Sequence, residues 1–343
     1  MDLILFNLFG RDIYASALTI TLGLVLCFAL TLSLWRQRGG EVSAVLGLFV
    51  LSFVFSVLFS RTLHWYFNAE SYDSLQAALT DYSNGSFMLP GMLLGIWLGA
   101  GLTKVLRLAD DTGRLLDTAA PGVCLLIAFI RLSALFNTSC RSKIIITDPR
   151  FQFLPIASGI TDAAGNTVYR FATFFVEFLL MLGLTLIVWL MFRARRRPMK
   201  PPCSDTGNVA RLALVFYSAI EVIMDSTRYD SPLMHFRLIS YLNQYSAFIS
   251  LAQVFAGFAV LWILIYYSRR SIKADGFKWY LPVCWVLFAA SLFGVGKLGE
   301  YNVQRTAAYV RCYSIMAASL LVMVLSILVP YFSCRKRRRR ARR

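Results

Sequence analysis

Charge is scarce in this chain. Asp, Glu, Lys and Arg make up 15% of its 343 residues, against about 25% in an ordinary soluble domain. Histidine is scarcer still, with only His64 and His235. The seven cysteines are scattered, and none forms a Cys-x-x-Cys pair. No His, Cys and Asp stand together at ligand spacing, so no metal site, disulfide framework or cofactor is expected. Acids are also few beside bases, 18 against 35, which leaves a net charge of +17. The bases fall in loops that flank apolar blocks, so a membrane surface explains them and no nucleic-acid partner is expected. The first apolar block has neither a basic leader nor a small-residue cleavage site before a polar start. It reads as a retained helix, not a removed signal.

What is plentiful is apolar sequence, 58% of the residues, and it comes in long runs. A hydrocarbon layer about 30 Å thick is crossed by roughly 20 helical residues. Runs of this kind predict an all-α, polytopic transmembrane helix bundle with about nine spans. They lie near Ile13–Leu34, Val42–Leu63, Phe87–Leu106, Thr118–Phe136, Phe171–Phe192, Val209–Met224, Ala247–Tyr267, Trp279–Phe293 and Tyr309–Phe332. The sixth and eighth are the shortest. No internal repeat is visible.

The loops set an orientation. Arg36, Arg38, Lys104, Arg107, Arg114, the run Arg193–Lys200, Arg269, Arg270, Lys273 and the tail Arg335–Arg343 share one parity. Acids Glu70, Asp73, Asp81, Asp148, Asp162, Asp230 and Glu300 dominate the other. The first side carries the whole net charge, which predicts an outside N-terminus and a cytoplasmic C-terminus in the plasma or inner membrane. The tail 335–343 is expected on anionic inner-leaflet lipid. On the outer side, Asn68–Gly85 is amphipathic and suits the interface. The outer segment about 137–170 is long enough for a small extracytoplasmic head. Within it Phe151–Ala157, a Gly-containing turn at 162–166 and Thr167–Tyr169 predict a β-hairpin.

Several ionisable groups fall inside these spans, most toward the outer half. Arg61 closes the second span and His64 follows. Arg131 interrupts the fourth, and Glu177 lies in the fifth. Glu221, Asp225 and Arg228 stand at i, i+4 and i+7 on one face of the sixth. Gln253 lies in the first two turns of the seventh. Charges at such depth are costly and face a bundle interior or a wet cavity. They suit either mutual neutralisation that fixes helix register, or an outward-opening polar chamber. In such a chamber guanidinium forks would hold a phosphate while carboxylates orient them.

The motifs then resemble a known family. Leu116-Asp117-Thr118-Ala119-Ala120-Pro121-Gly122, followed by Ile130-Arg131-Leu132-Ser133-Ala134-Leu135-Phe136-Asn137, is similar to the signature region of bacterial prolipoprotein diacylglyceryl transferases. Ala17–Gly23, Arg61, Gly85-Ser86-Phe87 with Gly91–Gly95, Glu177, Tyr217-Ser218-Ala219 with Asp225 and Arg228, and Ile249–Gln253 follow in the family's order. The resemblance covers residues 10–270. It implies a transferase-like core over 1–270, followed over 271–343 by two further helices and the basic tail.

The chain departs from the pattern at several positions. Met88, Leu89 and Pro90 stand where a histidine is expected. Ala134 replaces an asparagine, Ser139 a glutamate and Ser16 a first-helix tyrosine. Glu221 stands in place of an arginine. The resemblance implies transfer of a diacylglyceryl group from phosphatidylglycerol to a lipoprotein-precursor cysteine. Glu177, Asp225 and Asn137 would be catalytic, and His64 or His235 a substitute base. Arg131, Arg228, Arg61, Glu221, Gln253 and Ser16 would line the lipid site. Two alternatives stand beside it: a non-catalytic lipid-binding or assembly protein on the same fold, and, third, a transporter.

Overall fold

The computed structural model describes residues 3–8, 11–67, 72, 74–80, 88–137, 140–161, 166–194, 206–228, 250–303 and 308–340. It is an all-α membrane bundle with two small hairpins. The major helices are α1 (Ala15–Arg36), α2 (Val42–Phe67), α4 (Leu89–Val105), α5 (Thr112–Ser133), α7 (Thr173–Ala194), α8 (Asn208–Thr227), α9 (Leu251–Asp275), α10 (Tyr280–Phe293) and α11 (Tyr309–Arg340). The short helices α3 (Leu75–Thr80) and α6 (Pro149–Gln152) lie between them. Each predicted span therefore finds a helix. Among the described residues seven helices are long and apolar enough to cross a membrane. The other two differ for separate reasons. α4 is apolar but has only 17 residues. α8 carries Arg211, Glu221 and Asp225, which lower its hydropathy.

The chain forms two compact units that alternate along the sequence. One comprises Asp2–Phe136 with Phe178–Ala213, and the other Asn137–Glu177 with Leu214–Arg343.

In the first unit α2 and α4 pack along a seam of small residues. Ser52, Ser56 and Ser60 recur every fourth residue on α2. They face Gly91, Gly95 and Gly99, at the same spacing on α4. A Cβ on Gly91 would lie 2.5 Å from the Ser60 Cα, and one on Gly95 would overlap the Ser56 backbone. With the backbones this close, the Ser56 hydroxyl donates to the Met92 carbonyl at 2.9 Å, and that of Ser60 to Met88 at 2.7 Å. Lipid is as apolar as leucine, so close contact and hydroxyl bonds of this kind hold membrane helices together. α1 meets α5 in the same way. A Cβ on Gly122 would lie 2.6 Å from the Thr31 hydroxyl, so the Ala119-Ala120-Pro121-Gly122 stretch gives α1 room to approach.

The basic end of this unit is knitted by polar contacts. Asp111 caps α5 by accepting from the Gly113 amide at 2.9 Å. Buried Asp117 accepts from the amides of Gly207 and Ala210, both at 2.9 Å, at the start of α8. Those amides have no partner within their helix, and a carboxylate there also meets the positive end of the helix dipole. Arg38 lies 3.6 Å over the Phe192 ring and donates to the Phe192 carbonyl at 3.1 Å.

The structure corrects several boundaries. α2 continues to Phe67, so Arg61 lies inside a helix and does not close it. Ile13 begins no span. It lies in β2 (Arg11–Tyr14), which pairs antiparallel with β1 (Ile4–Leu8), a hairpin absent from the sequence reading. The head hairpin forms, but its first strand is β3 (Ala157–Thr161), paired with β4 (Thr167–Phe171), and not Phe151–Ala157. Asp148 accepts from the Arg150 amide and Pro149 follows at the first helical position, so this stretch starts as the turn α6. Of Asn68–Gly85, the helix Leu75–Thr80 and Tyr72 and Ser74 are described. α10 leads into a π-helical stretch, Gly294–Glu300, and the last helix runs past Phe332 to Arg340.

Gly95→Val is expected to cost about 3 kcal/mol or more, because the Cβ meets backbone that has nowhere to move. Gly101→Ala, on the same helix but facing open space, is expected to be neutral or stabilising by up to about 1 kcal/mol. Thermal unfolding of the two purified variants in detergent separates these outcomes.

Candidate functional site

A helix leaves its last four carbonyls without intrahelical partners, and where the terminus is buried each must find one. At the C-terminal end of α8 they do. The Met224 carbonyl accepts from the Thr227 hydroxyl at 2.8 Å, and the Asp225 carbonyl from the Arg228 amide at 3.1 Å. The Ser226 carbonyl accepts from the Tyr313 hydroxyl at 3.2 Å. The Thr227 carbonyl accepts from the Lys143 amide at 2.9 Å and the Ser142 hydroxyl at 3.0 Å. The Thr227 hydroxyl, already donating, accepts in turn from Thr173 at the start of α7, at 2.8 Å.

This end of α8 carries two of the predicted site residues. Arg228 pairs with Asp225 at 3.5 Å, a long ion pair. Asp225 is buried, as are Glu221 one turn earlier, Glu177 on α7 and Gln253 in the first turn of α9. All of these belong to the unit Asn137–Glu177 with Leu214–Arg343. Asn137 is half-buried, and its backbone carbonyl accepts from the Arg141 guanidinium at 2.9 Å.

The connector 141–146 had no role in the sequence reading, yet it organises this end. Ser142 bridges to Arg228 on one side, and Ile145 bridges to Arg170 on the other. The Ser142 amide donates to the Phe171 carbonyl, and the Phe171 amide to Ile144. Arg170 donates to the Ser142 carbonyl at 3.1 Å. A single extended segment thus ties the head hairpin to α8 and carries Arg141 and Lys143 between Arg170 and Arg228. Arg141 packs its guanidinium 4.7 Å over the Phe174 ring. Burial pushes its pKa below the ordinary arginine value, and the adjacent Cys140 opposes that shift. Arginine nonetheless stays charged at neutral pH. Four basic residues are therefore carried on this segment or bonded to it, with the Asp225 carboxylate beside Arg228. The run Arg141-Ser142-Lys143 was the available sequence signal, a cation pair in a loop between predicted spans.

The remaining predicted residues lie in the other unit. Arg61 on α2 and Arg131 near the end of α5 are both buried, at 1% and 5% exposure. Enclosure of two guanidinium groups within apolar helices suits both expectations from the sequence, mutual neutralisation and a polar chamber. His64, one turn beyond Arg61, is half-buried and stands 3.5 Å from the Tyr72 hydroxyl through Nδ1. Ser16 lies half-buried in the first turn of α1. His235 falls outside the described residues, as does Ser139.

The family model for prolipoprotein diacylglyceryl transferase matches residues 3–265. The chain belongs to this family. A search of curated proteins returned no match. Membership makes the protein a member of a membrane transferase family of lipoprotein biosynthesis, whose proteins are integral to the inner membrane. The transferase match ends within α9. The remainder of α9, α10, the π-helical stretch and α11 lie beyond it.

Ser142→Ala is expected to lower stability by about 1 kcal/mol, the usual net value of one hydrogen bond, seen as a lower unfolding temperature in detergent. An unchanged temperature would mean that the Lys143 amide alone satisfies the Thr227 carbonyl.

Proposed function

We propose that this protein is a divergent lipid-group transferase. It would move the diacylglyceryl group of phosphatidylglycerol to the cysteine thiol of a lipoprotein precursor. The observation that carries the reading is the end of α8, where Asp225 and Arg228 are fixed by a fully capped helix terminus amid Arg141, Lys143 and Arg170. Family membership supports it.

In this reaction a thiolate attacks the glycerol carbon that bears the phosphate. The carbon–oxygen bond breaks, a thioether forms, and glycerol phosphate departs with the bonding electrons. The thiol proton needs a base, and the departing phosphate needs cations. Arg131 and Arg228 would hold the phosphate, with Arg61 assisting. Glu177 and Asp225 would orient the guanidiniums, and Glu221, Gln253 and Ser16 would line the lipid site. Asn137 would donate at the chamber mouth, and His64 or His235 would take the proton. The chamber would open to the outer leaflet, with the N-terminus outside and the C-terminus cytoplasmic. The tail 335–343 would rest on anionic lipid.

A second reading has its own support. Met88, Leu89 and Pro90 stand where the family's histidine is expected, and Ala134 and Ser139 replace its asparagine and glutamate. A lipid-binding or assembly protein on the same fold would need the cations and not those groups.

The two readings separate in vitro. The transferase reading expects a thioether product from phosphatidylglycerol and a lipobox peptide. It expects a loss of about a hundredfold or more in rate for Arg131→Gln and for Arg228→Gln. Arg150→Gln, on the exposed turn α6, should be unaffected. Folded protein that binds phosphatidylglycerol without turnover would overturn it in favour of the second reading.

A further inference from the structure

The residues after the family match follow a plan of their own. α11 packs against α9, α10 and the π-helical stretch. Fully buried Met316 fills the space beside Gly299, where a Cβ would overlap its side chain. A Cβ on Gly294 would likewise overlap the Ser319 hydroxyl. The π-helical turn and its glycines thus let α11 lie close. From that position α11 reaches the last turn of α8. The Tyr313 hydroxyl donates to the Ser226 carbonyl at 3.2 Å, and the Ser226 hydroxyl meets the Met316 sulfur at 3.8 Å.

The other last-turn carbonyls of α8 are satisfied from within residues 137–228. That of Ser226 is satisfied from α11. Ser226 lies between Asp225 and Thr227, and a helix end that frays moves Asp225 and Arg228 with it. We propose that the C-terminal helices are a positioning device for the lipid-phosphate end of the site. Tyr313 is its positioning residue, acting through the Ser226 carbonyl on Asp225 and Arg228. The inference rests on the transferase reading for its functional consequence, but its structural core is independent of turnover.

The test uses the full-length protein in phosphatidylglycerol-containing nanodiscs. Tyr313→Phe removes the donor and keeps the ring. Tyr313 replaced by 4-aminophenylalanine keeps a donor at the same place. Hydrogen exchange at the amides of Arg228 and Lys143, which donate into the same turn, is expected to quicken about threefold to tenfold in Tyr313→Phe. It should return with 4-aminophenylalanine, while amides of α5 stay unchanged. In the transfer assay the KM for phosphatidylglycerol should rise by a similar factor with kcat little altered. If the unsubstituted protein shows no transfer, the transferase reading fails by itself. The Kd for phosphatidylglycerol then replaces KM as the readout. Unchanged exchange at Arg228 and Lys143, or faster exchange with unchanged KM or Kd, overturns the proposal.

Discussion

Backbone carbonyls that end a helix in a buried place must find donors, and the end of α8 is where this protein meets that demand. A buried carbonyl left without a donor costs about 1–3 kcal/mol. The four that close α8 draw on a helix side chain, a chain reversal, the head connector and the last helix. Two separate stretches of sequence, the head connector and α11, are thereby fixed to one turn. Asp225 and Arg228 gain a rigid base, although their own ion pair is long and would hold little by itself.

Much of the bundle was legible because hydropathy registers length directly. The apolar runs located every major helix within several residues. What failed was local. The β1–β2 hairpin was hidden because Ile4–Leu8 and Arg11–Tyr14 lack a clean alternation and merge with the apolar run of α1. Strand β3 begins at Ala157, later than expected, because the Asp148 cap and Pro149 favour a helical turn over the preceding residues. Arg61 seemed to end a span because charge is read as a boundary. The structure instead encloses it within α2.

The candidate site was legible in part. Buried Arg61, Arg131, Glu177, Glu221, Asp225 and Gln253 are the groups that sequence singled out by their cost in lipid. The connector was not legible. Ser142, Lys143 and Thr227 act through backbone amides, carbonyls and short hydroxyls, and such contacts leave no periodic trace. Tyr313 is a harder case. An aromatic in an apolar helix reads as packing, and its hydroxyl gains meaning only once Ser226 is found opposite.

The serine–glycine seam between α2 and α4 bears on how the molecule is made. It joins consecutive long helices through backbone proximity and two hydroxyl bonds, with no ion pair among its contacts. The pair is therefore competent to dock as soon as both helices have entered the bilayer, while the ribosome is still synthesising α8 and α11.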